Sequence, residues 1–322
     1  MRLYMASSEK NVQAFVGDPR MSFCAGGMHP YRLLSYLRVF KEARAKEWIE
    51  TITAACGHPE NIIMDSGAFT LQFGGMKGFN IDSTYDAYAR FTEQYLADLE
   101  RWDFKGIVIE MDVQRLLGVA DTEKLRKMFS HLGSRVMYVW HQPDGPDGMD
   151  ELARRRDFVS FSFMELNVIS GTKHKQAAKG NLALTRRMSA DLLKRIHGAD
   201  PKRKPPRVHL LGCTQRALLE SRHAWSGDSS AWLQASRYGK GMLFEPERGI
   251  ITVHVRSRKF ERWRSMAMSR MPEFEAHVMA DPAITPDLKT VYLNAAACAY
   301  AYTAQQAWID ARFSHLPTRN EI

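Results

Sequence analysis

Short apolar runs alternate with helix-length segments along almost the whole chain, and this alternation constrains the fold more than any other sequence feature. Runs such as Ile107-Val108-Ile109 are apolar on both faces, which is typical of parallel strands that are covered on each side. The repeated order of strand and helix predicts an α/β fold, and eight such units fit a (β/α)8 TIM-type barrel. The eight predicted strands are residues 2–6, 61–65, 106–112, 135–141, 158–163, 207–212, 224–228 and 242–244.

The segments between these runs carry apolar residues at helical spacing. Helices are predicted over residues 32–56, 83–101, 121–132, 181–197 and 214–222. Near the C-terminus, Tyr292, Ala296 and Tyr300 recur every fourth residue, so segment 287–313 is predicted to be a helix on the outside of the barrel. We expect one domain over residues 1–322, in which 245–322 forms a basic, helical C-terminal extension packed on the barrel.

Composition narrows the class of protein. A chain of 322 residues with 45% hydrophobic residues can bury a sizeable core. The four cysteines include no C-x-x-C pair, so they indicate neither a disulfide framework nor a zinc site. The first residues contain no apolar signal region, and no stretch of about 18 apolar residues occurs. We therefore expect a soluble, cytoplasmic protein that does not act at a membrane.

The formal charge of +9 is concentrated in the C-terminal half of the chain. One basic run includes Lys202, Arg203, Lys204 and Arg207, and a second over residues 256–270 has six basic residues against one acid. Such clusters favour a polyanionic partner, because binding to phosphates releases counterions. A solvated helix face is the simpler explanation for a single run, but two runs beside one candidate site favour nucleic acid.

Polar residues follow several of the predicted strands, among them Asp65, Asp112 and Gln142. In a barrel the carboxyl ends of the strands meet on one face, where active sites are built. Each residue alone is ambiguous, since Asp65 with Ser66 is also typical of a helix cap or an Asx turn. As a set, they predict a functional site on that face.

Other candidates have a structural explanation that is simpler than a functional one. A single histidine such as His141 is typically a hydrogen-bonded core residue, and the argument for His209 is weaker still. Phe69, taken alone, is typical of core, as is Trp232.

The order and spacing of these strings resemble the tRNA-guanine transglycosylase superfamily over most of the barrel. Residues 65–69 match the family's Asp-Ser-Gly-(Gly/Ala)-aromatic string, Asp112 its acidic strand end and Gln142 its Gln-ended strand. An apolar strand that closes on Gly follows at 209–212, and the family's Asp ahead of an Arg-containing loop is matched by Asp228 and Arg237. The family's Gly-rich pattern is absent from residues 160–163.

One departure from the family is large. Its tRNA-directed members carry a C-x-C-x-x-C plus His zinc site after this Asp, and nothing from Tyr238 onward supplies one. The strings His-Leu-Leu-Gly and Gly-Asp-Ser-Ser-Ala-Trp look more similar to the DNA-directed branch, which replaces guanine in DNA by a 7-deazaguanine and is found with phages and DNA-modification clusters. The resemblance therefore implies a glycosyltransferase that uses no cofactor and no metal and has no zinc subdomain.

The resemblance also implies a role for each matched residue. Asp228 is the nucleophile that holds the sugar and Asp65 the general acid/base, since base exchange with retention needs two displacements at C1′. The base is bound by Asp112, Gln142, Phe69, Ser66 and Gly212. The phosphates are bound by Arg237, Lys240, Arg256, Arg258 and Lys259. The implied partners are DNA with a flipped or single-stranded guanine and a free 7-deazaguanine of the 7-cyano type. The location is the host cytoplasm if a phage encodes the chain. The sequence does not indicate which proteins, if any, are partners.

Three alternatives stay open at this point: a tRNA-guanine transglycosylase without zinc, a DNA glycosylase in which water resolves the sugar intermediate, and a non-catalytic barrel that binds nucleic acid. A metal-dependent barrel hydrolase is disfavoured, because no His-x-His or His-x-Asp string ends a strand.

Overall fold

The computed structural model describes residues 1–6, 29–73, 81–162, 166, 178–198, 202, 204–220, 223–232, 235 and 238–313. Eight parallel strands close into a barrel in chain order, and β1 meets β8 where Tyr4 lies opposite Asp228. This confirms the predicted (β/α)8 fold. The barrel strands are β1 (Arg2–Ala6), β2 (Arg32–Ser35), β3 (Ile62–Asp65), β4 (Ile107–Ile109), β5 (Val136–Trp140), β6 (Phe158–Ser162), β7 (Arg207–Leu211) and β8 (Ser226–Ser229).

The strand register has the stagger expected of this fold. Following the paired residues from Tyr4 through each successive strand leads back to β1 at a position displaced by eight residues. Eight strands with a shear of eight are the geometry of the TIM barrel, in which inward side chains form layers.

Within the described ranges, helices lie between the strands, and a hairpin and further helices follow β8. The helices within the barrel are α1 (Tyr36–Val39), α2 (Ala45–Cys56), α3 (Ala68–Phe73), α4 (Tyr85–Arg101), α5 (Gln114–Met128), α6 (Gly145–Arg155), α7 (Ala178–Gly198) and α8 (Arg216–Glu220). After β8 come β9 (Lys240–Glu245), β10 (Gly249–His254), α9 (Arg258–Ser269), α10 (Pro272–Ala280) and α11 (Pro286–Phe313).

Two of the predicted elements are wrong: one predicted barrel strand is not part of the barrel, and one barrel strand was predicted as helix. The predicted number of barrel strands is therefore still eight. Predicted strand 242–244 belongs to the antiparallel β9–β10 hairpin and not to the barrel. The missing barrel strand is β2, which falls at the start of predicted helix 32–56. Because β2 has four residues and runs directly into α1, its apolar residues merge with the helical pattern that follows.

The last helix, α11, packs along the barrel wall. Its Tyr302 lies beside Ser229, the last residue of β8, and Thr214, which follows β7. Four residues later, Gln306 accepts a hydrogen bond from the Leu3 amide (2.8 Å) and donates one to the Met1 carbonyl (3.0 Å) at the amino end of β1. The helix therefore runs from the carboxyl to the amino face of the barrel.

The core has two compartments. A small interior cluster, with Tyr4, Ile63 and Val139 among its members, fills the barrel. A larger cluster lies between the strands and the surrounding helices. Among the helices of the described ranges, none combines the length and the apolar character that crossing a bilayer requires.

Candidate active site at the carboxyl ends of the strands

Strand alternation directs both predicted catalytic acids toward the barrel interior. Ile63 belongs to the interior cluster, so Asp65, two residues further along β3, faces the same side. Asp228 is paired with Tyr4, another interior residue, and its exposed fraction is only 7%. Both carboxyl groups therefore enter the same barrel from its carboxyl half.

The Asp228 carboxylate is held by two donors that meet at one oxygen. Its Oδ1 lies 3.0 Å from the Gly212 amide nitrogen and 3.0 Å from Nε2 of His209. Gly212 follows β7 with a φ of 66°, a left-handed conformation that glycine adopts without strain. In this structure the amide that was predicted to contact the base donates instead to Asp228.

A glycine lets β7 and β8 approach closely enough for these bonds. A Cβ atom on Gly227 would lie 2.5 Å from the carbonyl oxygen of Cys213, which is a backbone atom that cannot swing aside. Each residue of the string Ser226-Gly227-Asp228 thus has a structural role. Ser226 and Asp228 direct a hydroxyl and a carboxylate into the barrel, and Gly227 allows the close backbone contact with Cys213.

His209 is a site residue that the sequence analysis missed. The side chain is fully buried, and its two ring nitrogens contact Ser226 Oγ (2.6 Å) and Asp228 Oδ1 (3.0 Å). His209 lies opposite Ser226 in the register and so shares the inward face of the barrel with Asp228. The alternation of residues along each strand could have indicated this, but only with the knowledge that β7 and β8 are neighbours.

A second histidine and aspartate meet at the ends of β4 and β5. His141 Nε2 lies 2.5 Å from Asp112 Oδ1, a close charge contact although the groups are not aligned as a regular hydrogen bond. Gln72 of α3 donates to the Asp112 backbone carbonyl, so the segment after β4 is tied to the segment after β3. The structure thus gives His141 a polar partner at the predicted site rather than a place in the apolar core.

A buried ion pair braces this corner from outside the barrel. Glu110 is fully buried and accepts from Arg126 Nε (2.7 Å) and Nη2 (2.9 Å) and from the Val139 amide (2.7 Å). Because a carboxylate with three donors is well compensated, this pair can hold the ends of β4 and β5 together without an unpaired charge.

Ser66 and Gly67 shape the turn that follows Asp65. The Ser66 hydroxyl accepts from the Ala68 amide (3.4 Å) at the start of α3, so it acts as a helix cap, as its sequence context also allowed. Gly67 has a φ of 80°, and a Cβ there would lie 2.5 Å from Leu37 Cγ. This turn brings Asp65 directly onto the first turn of α3.

The structure describes the side chain of one of the two remaining predicted base-binding residues, Gln142. This residue lines an outer cavity of about 300 Å³ together with Trp140, Met188 and Leu192. It lies beyond the end of β5, at the start of a short 3-10 helix over Gln142–Asp144. The side chain of Phe69 lies outside the described residues.

The predicted phosphate-binding residues that the structure describes lie around the open end of the β9–β10 hairpin. Lys240 pairs with His254 in the register, and Arg256 and Arg258 follow it on the surface. Lys259 forms an ion pair with Glu245, so its charge is partly compensated. Arg237 lies outside the described residues.

The basic run around residues 202–207 is not beside the site, contrary to the sequence analysis. It precedes β7 and so lies at the amino ends of the strands, on the opposite face. Arg207 donates to the Ser134 carbonyl (2.6 Å) ahead of β5, contacts Glu60 (3.2 Å) ahead of β3 and lies over the ring of Phe158, the first residue of β6. The predicted strand at 207–212 already placed this run at the amino end of a strand, so the error was to take closeness along the chain for closeness in space.

Trp232 and the nearby cysteines have structural roles. Trp232 is buried and donates through Nε1 to the Ala6 carbonyl (2.9 Å), which confirms its placement in the core. Burial raises the pKa of the Cys213 thiol to about 12, so this group next to Gly212 stays protonated at neutral pH and is not a nucleophile.

Fold and site together define a (β/α)8 barrel in which two histidine–aspartate pairs lie at the carboxyl ends of neighbouring strands, where barrel enzymes carry their catalytic groups. Within the described ranges, no group of three or more His, Cys, Asp or Glu side chains is arranged to hold a metal ion. No protein-family model and no curated protein matches this chain.

Proposed function

We propose that this chain is a transglycosylase that exchanges a guanine base in DNA for a 7-deazaguanine base. The observation that carries the proposal is the pair of inward acids: Asp228, buried and held at one oxygen by two donors, and Asp65, which enters the same interior from β3. Retaining exchange at a sugar carbon needs one carboxylate nucleophile and one acid/base group.

In the first step, Asp228 attacks C1′ of the 2′-deoxyguanosine sugar. The bond from its oxygen to C1′ forms as the C1′–N9 bond breaks, and the electron pair leaves with the purine. A protonated Asp65 gives its proton to the departing base, which leaves as neutral guanine.

In the second step, the incoming 7-deazaguanine gives a proton to Asp65, and its N9 attacks C1′. The ester bond to Asp228 breaks, and the carboxylate returns to its starting state. No oxidant, reductant or net proton is consumed, which fits chemistry without a cofactor.

Asp112 is proposed to read the guanine edge. The N1–H and the exocyclic amine of guanine are donors, and a carboxylate accepts from both. The contact between His141 and Asp112 supports this role, since it holds the Asp112 carboxylate where the chain leaves β4 and β5.

DNA as the polymer rests on the resemblance to the DNA-directed branch and on exposed basic residues near the candidate site. A base in a duplex cannot present C1′ and its edge to both acids, so the target has to be flipped or unpaired. Lys240, Arg256 and Arg258 are suited to hold the phosphates on either side of it.

The test is base exchange with radiolabelled 7-cyano-7-deazaguanine on DNA and on tRNA, followed by covalent trapping on a denaturing gel. We expect label in DNA, a protein–DNA adduct with the natural protein, no adduct with Asp228→Ala and a weaker adduct with Asp65→Ala. Label in tRNA alone indicates a tRNA-directed enzyme, abasic sites without added base indicate a glycosylase, and an adduct that survives Asp228→Ala overturns the nucleophile. Binding without label, adduct or abasic sites indicates a non-catalytic barrel.

A further inference from the structure

We propose that His209 is a positioning residue that selects which oxygen of Asp228 attacks the sugar and stabilises that carboxylate when it leaves. The inference rests on the proposed function and adds to it a residue and a division of labour between the two Asp228 oxygens.

The protonation of His209 follows from its partners. A carboxylate oxygen only accepts hydrogen bonds, so Nε2 carries the proton that is donated to Asp228 Oδ1 at 3.0 Å. The other ring nitrogen, Nδ1, then accepts from the Ser226 hydroxyl at 2.6 Å in the neutral ring. Ser226 and His209 are both fully buried, so bulk water does not compete for either bond.

Both donors converge on the same oxygen of the nucleophile. The Gly212 amide also binds Oδ1 at 3.0 Å, from the backbone of a left-handed turn. An oxygen that already accepts two hydrogen bonds is a poor nucleophile, since its lone pairs are engaged. Oδ2 is therefore the oxygen that forms the bond to C1′, and Oδ1 becomes the carbonyl oxygen of the ester.

This arrangement has unequal effects on the two steps. In the covalent intermediate Oδ1 is a neutral ester carbonyl, whereas in the second transition state it regains negative charge as the Oδ2–C1′ bond breaks. Hydrogen bonds to a developing anion are stronger than those to a neutral carbonyl. The two donors thus favour breakdown of the intermediate, in which Asp228 is the leaving group and the incoming base supplies the electron pair to C1′.

The predicted consequence is an intermediate that accumulates when the donor is lost. In His209→Phe we expect adduct breakdown on addition of 7-cyano-7-deazaguanine to slow by about 10- to 100-fold, the usual effect of losing a hydrogen bond to a charged group, while adduct formation changes much less. His209→Gln retains an amide donor near the position of Nε2 and should recover much of the rate. Ser226→Ala frees the ring to adopt the other tautomer and should give an intermediate loss.

The experiment is a single-turnover time course with a labelled guanine-containing oligonucleotide. Samples quenched in denaturant during the first incubation measure how fast the adduct forms. Samples quenched after addition of the free base measure how fast it breaks down. His131→Phe, at an exposed histidine between α5 and β5, is the matched control and should behave as the natural protein does. Circular dichroism establishes that each variant is folded; if His209→Phe is not, His209→Gln and Ser226→Ala decide the question.

Accumulation in His209→Phe with recovery in His209→Gln supports the inference. Natural rates for both steps in His209→Phe overturn it, as does an equal loss in both steps that His209→Gln does not recover, because a packing defect produces that pattern. A folded natural protein that forms no adduct overturns the proposed function itself and this inference with it, so the two failures are distinguishable.

Discussion

The Nε2 atom of His209 lies 3.0 Å from Oδ1 of Asp228, so a histidine in the middle of one strand fixes the acid on the next. His141 and Asp112 form a second such contact, with Nε2 2.5 Å from Oδ1 but without the alignment of a regular hydrogen bond, where the chain leaves β5 and β4. Each pair therefore joins two neighbouring strands or the segments that follow them. Under the proposed function, these acids are held in place before a substrate binds, which is the preorganisation that catalysis requires.

The Asp112→Asn substitution should slow the exchange of guanine more than that of hypoxanthine, and so relax base selection. The asparagine amide has one acceptor oxygen and one NH2 group in place of two acceptor oxygens. It therefore cannot accept from both guanine donors, and its NH2 group faces the base amine, which is also a donor. We expect exchange of guanine to fall by about 10- to 100-fold, and that of hypoxanthine, which lacks the amine, to fall less. Competition between the two labelled bases measures this ratio.

Asp103→Asn is the matched control for this prediction. Asp103 is exposed and has a φ of 53°, a conformation that asparagine tolerates well. An unchanged guanine preference in Asp112→Asn, with the control also unchanged, contradicts a role for Asp112 in reading the base.

The two basic runs should differ in their effect on DNA binding, because they lie at opposite ends of the barrel. Reversing charge at Arg256 and Arg258 should weaken binding and reduce the slope of log K against log salt by about 2, since each lost phosphate contact removes about 0.9 from it. Reversing Lys202 and Lys204, which precede β7, should change neither. Fluorescence anisotropy over a salt series measures both quantities, and equal effects from the two pairs would show that DNA does not approach from the carboxyl face.

The sequence predicts the barrel because its evidence is local. Six of its eight strands are short runs rich in apolar residues, and β8 (Ser226–Ser229) is located from the apolar pair Ala224-Trp225 just before it, so these seven can be recognised without knowing their neighbours. Strand β2 is the exception, since Arg32–Ser35 passes into α1 without a polar turn. The acids could also be located, because Asp65 and Asp228 lie in strings with a distinctive order.

What the sequence could not supply is the pairing between distant residues. His209 is separated from Asp228 by 19 positions and His141 from Asp112 by 29, and only the strand order brings each pair together. The run at 202–207 is a different case, since the predicted strand that follows it already assigns it to the amino face. Chemistry that depends on register becomes visible only once the barrel is closed.

Gly227→Ala should destabilise the protein and disturb the site at the same time. The added Cβ meets the Cys213 carbonyl oxygen at 2.5 Å, so β7 and β8 have to separate. Overpacking of this kind costs about 1–3 kcal/mol, and separation of these strands also stretches the bonds from Gly212 and His209 to Asp228. We expect both the free energy of unfolding in urea and the exchange rate to fall.

Gly198→Ala serves as the control for that substitution. Gly198 ends α7 and has no atom within 4 Å of an added Cβ, so alanine there should be neutral or stabilise the protein by up to about 1 kcal/mol. If Gly227→Ala is as stable and active as Gly198→Ala, the close approach of the two strands is not needed.

His29 should make the stability of the protein fall as the pH is lowered from 7 to 5. The ring is fully buried, and its Nε2 donates to the Leu3 carbonyl at 2.7 Å. Burial lowers the pKa of His29 from an ordinary value of 6.5 to about 3, and the charge of Arg32 contributes to this shift. Because the folded-state pKa is the lower one, the unfolded chain binds more protons below pH 6.5, so stability is present at neutral pH and is lost on acidification. This linkage amounts to at most about 2 kcal/mol of unfolding free energy between pH 7 and pH 5.

Urea unfolding at the two pH values measures this effect. The difference in unfolding free energy between them should be smaller in His29→Gln by about that amount, whereas His131→Gln, at an exposed position, should retain the natural difference. An identical pH dependence in His29→Gln and in the natural protein would mean that the buried ring does not resist protonation in the folded state.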